Sequence, residues 1–566
     1  MTLKFFLLSC LLLCSVVDSN AQNIEGFYRK WEGLTVHPAE FMFALYDKER
    51  NNSDGIIFVT RGEYTKNIAG KSFSTYCIDR DSIDIDFKIK YKTERCKKFS
   101  MSYYSIGMES DVISSDTIDI PLSADWREYS HSVRIKRGFS LEVTIEALTS
   151  KETGTPGKIH IDSIDLLHNG MPLQRNVSPY TPAQVNDYSI QTWDKLLSSP
   201  IMDKRILALG ETIYGTQSLD DISLELIKER VSNHNCKLIA LEIPSSLGLY
   251  LNRYVKNDKR YTLDFYKTYI DGYINFSIIP LLEWVKDYNN SHNNEVTLVG
   301  VDEDNDPFIY KGCLYNYLES VNSDHSIDSL CHMALFLQDS ILINTKAVNN
   351  VFSHEETELL KVCVENRIRM HSIYDYRIPQ DKYMSQYFLK ACDLYLDKNT
   401  TVTFIGQFIH ANNVTVNLST FKHDNSSMGS LIKRIYKNDY SCVALSVDKG
   451  KSMFKNEFGK PKLSDIAEAP ANSIEYLLSQ KSDSPVSFLP VADLNDMYNV
   501  RDSGTKWTLC PDLHFSYLTP SKFMDGVISV KNAKSTNKTL KDRYANESLL
   551  CEYCKEKMIM YKNKMK

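Results

Sequence analysis

The stretch at residues 206–242, ILALGETIYGTQSLDDISLELIKERVSNHNCKLIALE, opens and closes on short apolar runs and carries a helical repeat between them. Neither ILAL (206–209) nor KLIAL (237–241) alternates with polar residues, the pattern of strands covered on both faces and hence of a parallel sheet. Between them Leu219, Ile222, Leu226 and Ile227 share one helical face, with Ser218 read as the N-cap and Asp221 at the third helical position. This is a βαβ unit. Four more runs of the same kind follow: VTLVGV (296–301), TVTFI (401–405), CVALSV (442–447) and GVISV (526–530). Helical stretches around 278–288 and 328–395 must pack outside that sheet or cap it. The C-terminal part therefore reads as an α/β domain with a mostly parallel sheet and additional helices.

Upstream the rhythm differs. Apolar residues recur at every second position in Ile83, Ile85, Phe87, Ile89 and Tyr91, and again in Leu141, Val143, Ile145 and Ala147. Such alternation marks strands with one buried face. Further strands are expected near 126–133 and 158–166, separated by turn segments such as 153–157, which together predict a jelly-roll-like β-sandwich. The segment SPYTPAQ (178–184), with two prolines and no period, marks a linker. The first residues, MTLKFFLLSCLLLCSVVDSNAQ, hold one Lys and an unbroken apolar stretch from Phe5 to Val17 before the small residues Ser19 and Ala21. That is the pattern of a secretory signal peptide cut after Ala21, which implies a secreted or periplasmic protein. Lipid anchoring is less favoured, since Leu13 precedes Cys14 and the apolar run before Cys10 is very short. The expected division is a signal peptide at 1–21, a sandwich at 22–173, a linker at 174–190, the α/β domain at 191–535 and a Lys-rich tail at 536–566.

At 566 residues and 43% hydrophobic, the chain is long enough to bury the cores of two domains. A net charge of -6 with no Lys/Arg stripe gives no reason to expect nucleic acid, and no later segment has the ~20 apolar residues a membrane span needs. Cysteines are scattered without a repeated spacing, which argues against a disulfide scaffold. Cys551 and Cys554 form a lone CxxC without the second pair a metal site needs, so the tail is expected to be solvated.

In an open parallel sheet ligands bind beyond the carboxyl ends of the strands. The residues following the apolar runs are Glu211, Glu242, Asp302 and Gln407, with His410 close behind. Carboxylates gathered without cations raise one another's pKa values and prepare acid/base pairs, although each acid can equally serve as a helix cap. No GxSxG, HExxH, GxGxxG or P-loop occurs, and Ser430 to Lys433 is an SxxK match that lies inside a helix.

Six ordered segments carry a resemblance. ILALGETIYGTQSL is similar to the LGEATHGT motif of the erythromycin esterase family, and KLIALEIP followed by LNRYV is similar to that family's next strand. LLEWVKDYN (281–289) leads into VTLVGVD, DKYM (381–384) resembles the family's RDxxM helix, MGSLIKRIYKNDY (428–440) precedes a strand, and APANSIE, NVRDSG and MDGVISV close the domain. The resemblance covers about 206–530 and implies hydrolysis of a small-molecule ester or lactone, by water that a histidine base activates. No cofactor is expected, and a divalent cation on His410, Glu211 and Glu242 is less favoured than a hydrogen-bonded histidine, so no metal is expected. Carried over by position, Glu211, Glu242 and His410 are retained as catalytic residues, and Asp302 and Arg501 fall among the substrate-binding positions. Three positions depart from the family: Tyr214 replaces the motif histidine, Gln407 replaces the first His of HNxH, and Ser223 stands where an Arg is usual. A phenol with a pKa near 10 cannot take the base's part at neutral pH. The chain thus reads as a divergent hydrolase of esters or lactones with altered or lost activity, in which His410 is the remaining candidate base and Glu211, Tyr214 and Glu242 orient substrate. The alternative is a binding protein that uses the cleft or the sandwich. KIHIDSIDLL (158–167) weakly resembles the closing strand of jelly-roll carbohydrate-binding modules, which would add a glycan as partner.

Overall fold

The computed structural model describes the strands Leu34–Thr35, Met42–Tyr46, Ile56–Thr60 and Lys66–Ser74 and then residues 82–106, 112–136, 140–149, 157–172, 190–272, 274, 277–293, 295–320, 352–371, 380–414, 426–455, 461–466, 468–469, 473–495, 498–501, 515–536 and 543–564. The expected signal peptide, nearly all of the linker, the turn at 153–156 and the helical stretch at 328–351 lie outside the described residues. The chain divides into two compact units.

The first unit is a β-sandwich of two antiparallel sheets, one of five strands and one of six. Alternation in the sequence becomes alternation in burial along Ser82–Glu94, where Ile83, Ile85, Phe87, Ile89 and Tyr91 are all buried. They pack with Phe99, Met101 and Tyr103 of the facing sheet into one core. Gly157–His168, expected as a closing strand, sits centrally in its sheet between Ile56–Thr60 and Ser82–Glu94. The aromatics Phe87, Tyr91, Phe99 and Tyr103 are thus committed to the core.

The second unit is built on a seven-stranded sheet. Its strands are β1 (Ile206–Glu211), β2 (Cys236–Pro244), β3 (Thr297–Asp302), β4 (Thr401–Gln407), β5 (Tyr440–Val447), β6 (Val486–Pro490) and β7 (Gly526–Val530). In space they run β3-β2-β4-β1-β5-β7-β6, all parallel except β6, which pairs antiparallel with β7. All six expected strands are present. Both β1 and β5 are buried along their whole length, which is why their sequences show no period of two. β1 and β4 are neighbours, and the chain leaves β1 toward β2 on one side and β4 toward β5 on the other, which opens a crevice at their carboxyl ends.

Helix α1 (Gln217–Asn233) follows β1. Its N-cap is Thr216 and not Ser218: Thr216 has extended backbone and its hydroxyl accepts from the Leu219 amide, while the Ser218 hydroxyl accepts from the Lys534 amide at 3.0 Å. The preceding Gly215 takes φ +78, and a β-carbon there would lie 1.8 Å from the Met453 carbonyl oxygen. Near its other end, fully buried Arg230 donates to Thr403 Oγ1 at 2.9 Å and to the Val402 and Lys204 carbonyls at 3.0 Å, which joins the helix to the amino ends of β1 and β4. The unit continues with α2 (Ser245–Val255), α3 (Ile279–Ser291), α4 (Pro307–Ser320), α5 (His354–His371), α6 (Gln380–Tyr395), α7 (Met428–Tyr436) and α8 (Ile474–Lys481).

The Lys-rich tail differs from its expected solvated state. Arg543–Lys564 forms helix α9, with Leu550 and Cys554 buried. The Tyr553 ring packs 5.5 Å from Phe265 and 4.8 Å from Tyr269, its hydroxyl accepts from Asn316 Nδ2 at 3.0 Å, and Lys557 pairs with Glu319 of α4. Lys555 is exposed while Lys557 faces α4, and the lysine-rich composition concealed the apolar stripe. Deleting residues 543–566 is expected to destabilise the protein by ~2–5 kcal/mol in urea unfolding, since it uncovers Phe265 and removes two buried side chains. Among the described residues no helix is long and apolar enough to cross a membrane.

Candidate active site

Glu211 is the last residue of β1 and pairs in register with Gln407, the last residue of β4. On the far side of β4, the β2–β3 register slips between Leu241 and Pro244, a bulge that contains Glu242. Bulges next to sites re-aim side chains. Here the bulge delivers the Glu242 carboxylate over Gly406, where a β-carbon would come within 2.6 Å of Glu242 Oε2. Asp302 ends β3, and His410 lies on the short turn Phe408–Ala411 directly after β4.

Glu242 is the hub. Tyr214 Oη donates to Glu242 Oε2 at 2.8 Å, and the Gln407 backbone amide donates to the same oxygen. The other carboxylate oxygen faces His410 Nε2 at 3.7 Å. The ring's second nitrogen, Nδ1, lies 2.8 Å from Asp381 Oδ1, and Asp381 in turn accepts from the Met428 amide at 2.7 Å. Asp302 Oδ1 accepts from Gln380 Nε2 at 2.7 Å and from the Glu303 amide at 2.8 Å. Ser223, buried on α1, reaches Glu211 Oε1 only at 3.5 Å.

These distances fix the protonation pattern. Burial alone would strip His410 of its proton, but the carboxylates of Asp381, Glu242 and Asp302 outweigh that cost and push its pKa up to about 10. The ring is therefore an imidazolium at neutral pH, with both nitrogens turned toward carboxylates. Burial, and then the negative charges of Asp220 and Glu242, hold the Glu211 carboxyl well above the usual range, and Ser223 offsets this only in part. Burial followed by Glu242 and Glu211 raises the Tyr214 phenol well above its ordinary value, so Tyr214 is a donor and not a base. Asp302 is likewise raised by burial and by Glu242.

The structure brings Glu211, Tyr214, Ser223, Glu242, Asp302, Gln407 and His410 to one end of the sheet. Arg501 lies at the same end of the sheet, beside the end of β5. It ends the strand Tyr498–Arg501, is fully buried, and donates to the Val447 carbonyl at 3.1 Å and the Asp448 carbonyl at 3.2 Å. Those carbonyls lie at and just past the end of β5, and that of Asp448 also accepts from the Ala469 amide at 2.8 Å. Gln407 contributes its backbone amide instead of its side chain. Asp381 and Gln380, at the start of α6, hold His410 and Asp302, a role that the DKYM segment does not reveal by itself. Among the described residues no group of three or more His, Cys, Asp or Glu side chains is arranged to hold a metal ion.

Neither a protein-family model nor a curated protein matches the sequence. Solved structures do. A succinoglycan biosynthesis protein is 16% identical, with 64% of this chain and 95% of that one covered and a TM-score of 0.42. An erythromycin esterase mutant in its open conformation is 14% identical over 61% of this chain and 95% of that one, with a TM-score of 0.39. The likeness is one of scaffold alone. The xylan-binding domain CBM22-1 from Paenibacillus barcinonensis is 12% identical over 26% of this chain and 88% of that one, with a TM-score of 0.19.

Proposed function

We propose that the second unit is an erythromycin-esterase-like hydrolase scaffold that has lost ester and lactone hydrolysis and retains its cleft to bind a small molecule. The observation that carries this reading is the Tyr214 hydroxyl donating to Glu242 at 2.8 Å, at the position the resemblance assigns to a histidine base. A proton donor there cannot draw a proton from water. The remaining imidazole, His410, is held as a cation between Asp381 and Glu242, and burial with its acidic neighbours holds the Glu211 carboxyl well above the usual range. His410 is thus not a free base at neutral pH, as general-base attack by water through this ring requires. In this reading the chain acts outside the cytoplasm after loss of residues 1–21, and the sandwich at 22–173 supplies glycan or protein contacts.

The test is turnover by the purified full-length chain on a panel of aryl esters and macrolide lactones. The expected result is no hydrolysis above buffer and no change on His410→Ala. Wild-type hydrolysis that His410→Ala abolishes would overturn the reading.

A further inference from the structure

Helix α9 carries the CxxC pair of the tail, Cys551 and Cys554, and both thiols are free. Cys554 is only 6% exposed, and its Sγ donates at 3.5 Å to the Phe308 carbonyl in the first turn of α4. Cys551, one turn earlier, is half-buried. Leu550, Tyr553 and Lys557 share the face that Cys554 turns toward the unit, so this one turn sets how the helix docks. We propose that Cys551 and Cys554 form a reversible disulfide within α9 and that its closure loosens the helix from α4.

Helical spacing supplies the reach. Residues three apart on a helix have α-carbons about 5 Å from each other, inside the roughly 4.4–6.8 Å that a disulfide spans. Their β-carbons stand about 5–6 Å apart where a disulfide needs about 3.5–4.5 Å, so the bond closes only if this turn tightens. A bond made against that resistance is readily reduced again, which sets it apart from a permanent cross-link. Tightening acts on the docked face. The Cys554 sulfur is drawn toward Cys551 and no longer has a proton to give Phe308, and Tyr553, whose hydroxyl accepts from Asn316 at 3.0 Å, lies within the same turn. Exchange with a small disulfide such as oxidised glutathione balances the step. The Cys551 thiolate, the more accessible of the two, attacks one glutathione sulfur and expels a glutathione thiolate; the Cys554 sulfur, its proton given to water, then attacks the Cys551 sulfur and expels the second. Two protein thiols are oxidised, one glutathione disulfide is reduced to two thiols, and the two protons pass to the thiolates released. Burial pushes the Cys554 thiol up to about 12, against the nearby Lys311, so the second attack is the slow one and waits on opening of this turn.

The probe is oxidised glutathione, incubated with the full-length chain before the remaining thiols are alkylated and the peptides mapped by mass. The expected product is a link between Cys551 and Cys554, lighter by two hydrogens and removed by dithiothreitol. Trypsin is expected to release peptides of 543–566 about tenfold faster from the oxidised chain, the change in local opening that losing a buried hydrogen bond gives. In Cys551→Ser the link cannot form, and cleavage is expected to stay at the reduced rate with or without glutathione. Mapping and cleavage of the wild type keep the test decisive should that variant fold poorly. Full alkylation of both thiols after the oxidant, a link from Cys554 to Cys313 of α4 instead, or a Cys551–Cys554 link with unchanged cleavage would overturn the proposal.

Discussion

Ester hydrolysis is expected to appear when Tyr214→His, Gln407→His and Ser223→Arg are combined, at a rate roughly 100-fold above wild type, the lower end of what a positioned general base contributes. Each change restores a different physical requirement. Histidine at 214 replaces a donor to Glu242 by an imidazole that can accept a proton from water. By itself it would meet the fate of His410, because Glu242, Glu211 and Asp302 all act on position 214 and would hold the new ring protonated. Arginine at 223 answers that problem: Ser223 already lies 3.5 Å from Glu211 Oε1, so a guanidinium there would offset the excess negative charge and return the new imidazole toward its ordinary range near 6.5. Histidine at 407 adds a second ring beside Glu242 and His410. The single variant Tyr214→His is therefore expected to fall well short of the triple variant when initial rates on an aryl ester are compared. A triple variant as inert as wild type would show that the lost chemistry does not reside in these three positions.

His410 should also leave a mark on stability. Its folded pKa of about 10 lies above the unfolded value near 6.5, so the imidazolium's contribution is fully present below pH 6.5 and is lost as pH rises through 10. Replacing it by His410→Gln removes the cation while Asp381 and Glu242 still face the same space. Removing one partner of a buried charged pair costs ~3–5 kcal/mol, and that difference between variant and wild type is expected near pH 6 in urea unfolding. Between pH 7 and 10 the difference should shrink steadily, since the wild type loses what the variant never had. A gap that stays constant across this range would mean that the imidazole is neutral in the fold.

Much of this architecture was legible because continuous apolar runs have one physical meaning. A strand covered on both faces has no polar face to show, and β1, β2, β3, β4, β5 and β7 could each be read that way. β6 was missed. Val486–Pro490 spans five residues, ends on proline and runs antiparallel at the sheet edge, so neither its length nor its pattern separates it from a loop. The cap of α1 was misplaced because Thr216 and Ser218 are equally good capping residues, and only the positive φ of Gly215 decides which one meets the helix start.

At the site the same division holds. Residues that end strands were found, because strand ends can be counted off the sequence. Asp381 and Gln380 come from the start of a helix remote in sequence, and nothing in DKYM says which way its first turn faces. Arg501, expected from its motif to bind substrate, has a guanidinium that donates to two carbonyls at the end of β5, which the sequence does not show. The tail followed the same logic, since Leu550, Tyr553 and Cys554 are too few to register against so many lysines until α4 is there to receive them.

The claim on which the whole reading turns is that His410 is a cation at neutral pH and cannot serve as the base. Nitrogen-15 NMR of the histidine side chains of the full-length protein, assigned by comparison with His410→Gln and followed from pH 5 to 10.5, measures this directly. Both ring nitrogens of His410 are expected to stay protonated through pH 8 and to titrate near 10. Titration near 6.5 would contradict the account, because it would place a neutral imidazole beside Glu242 at working pH and return to the site the base that Tyr214 removed.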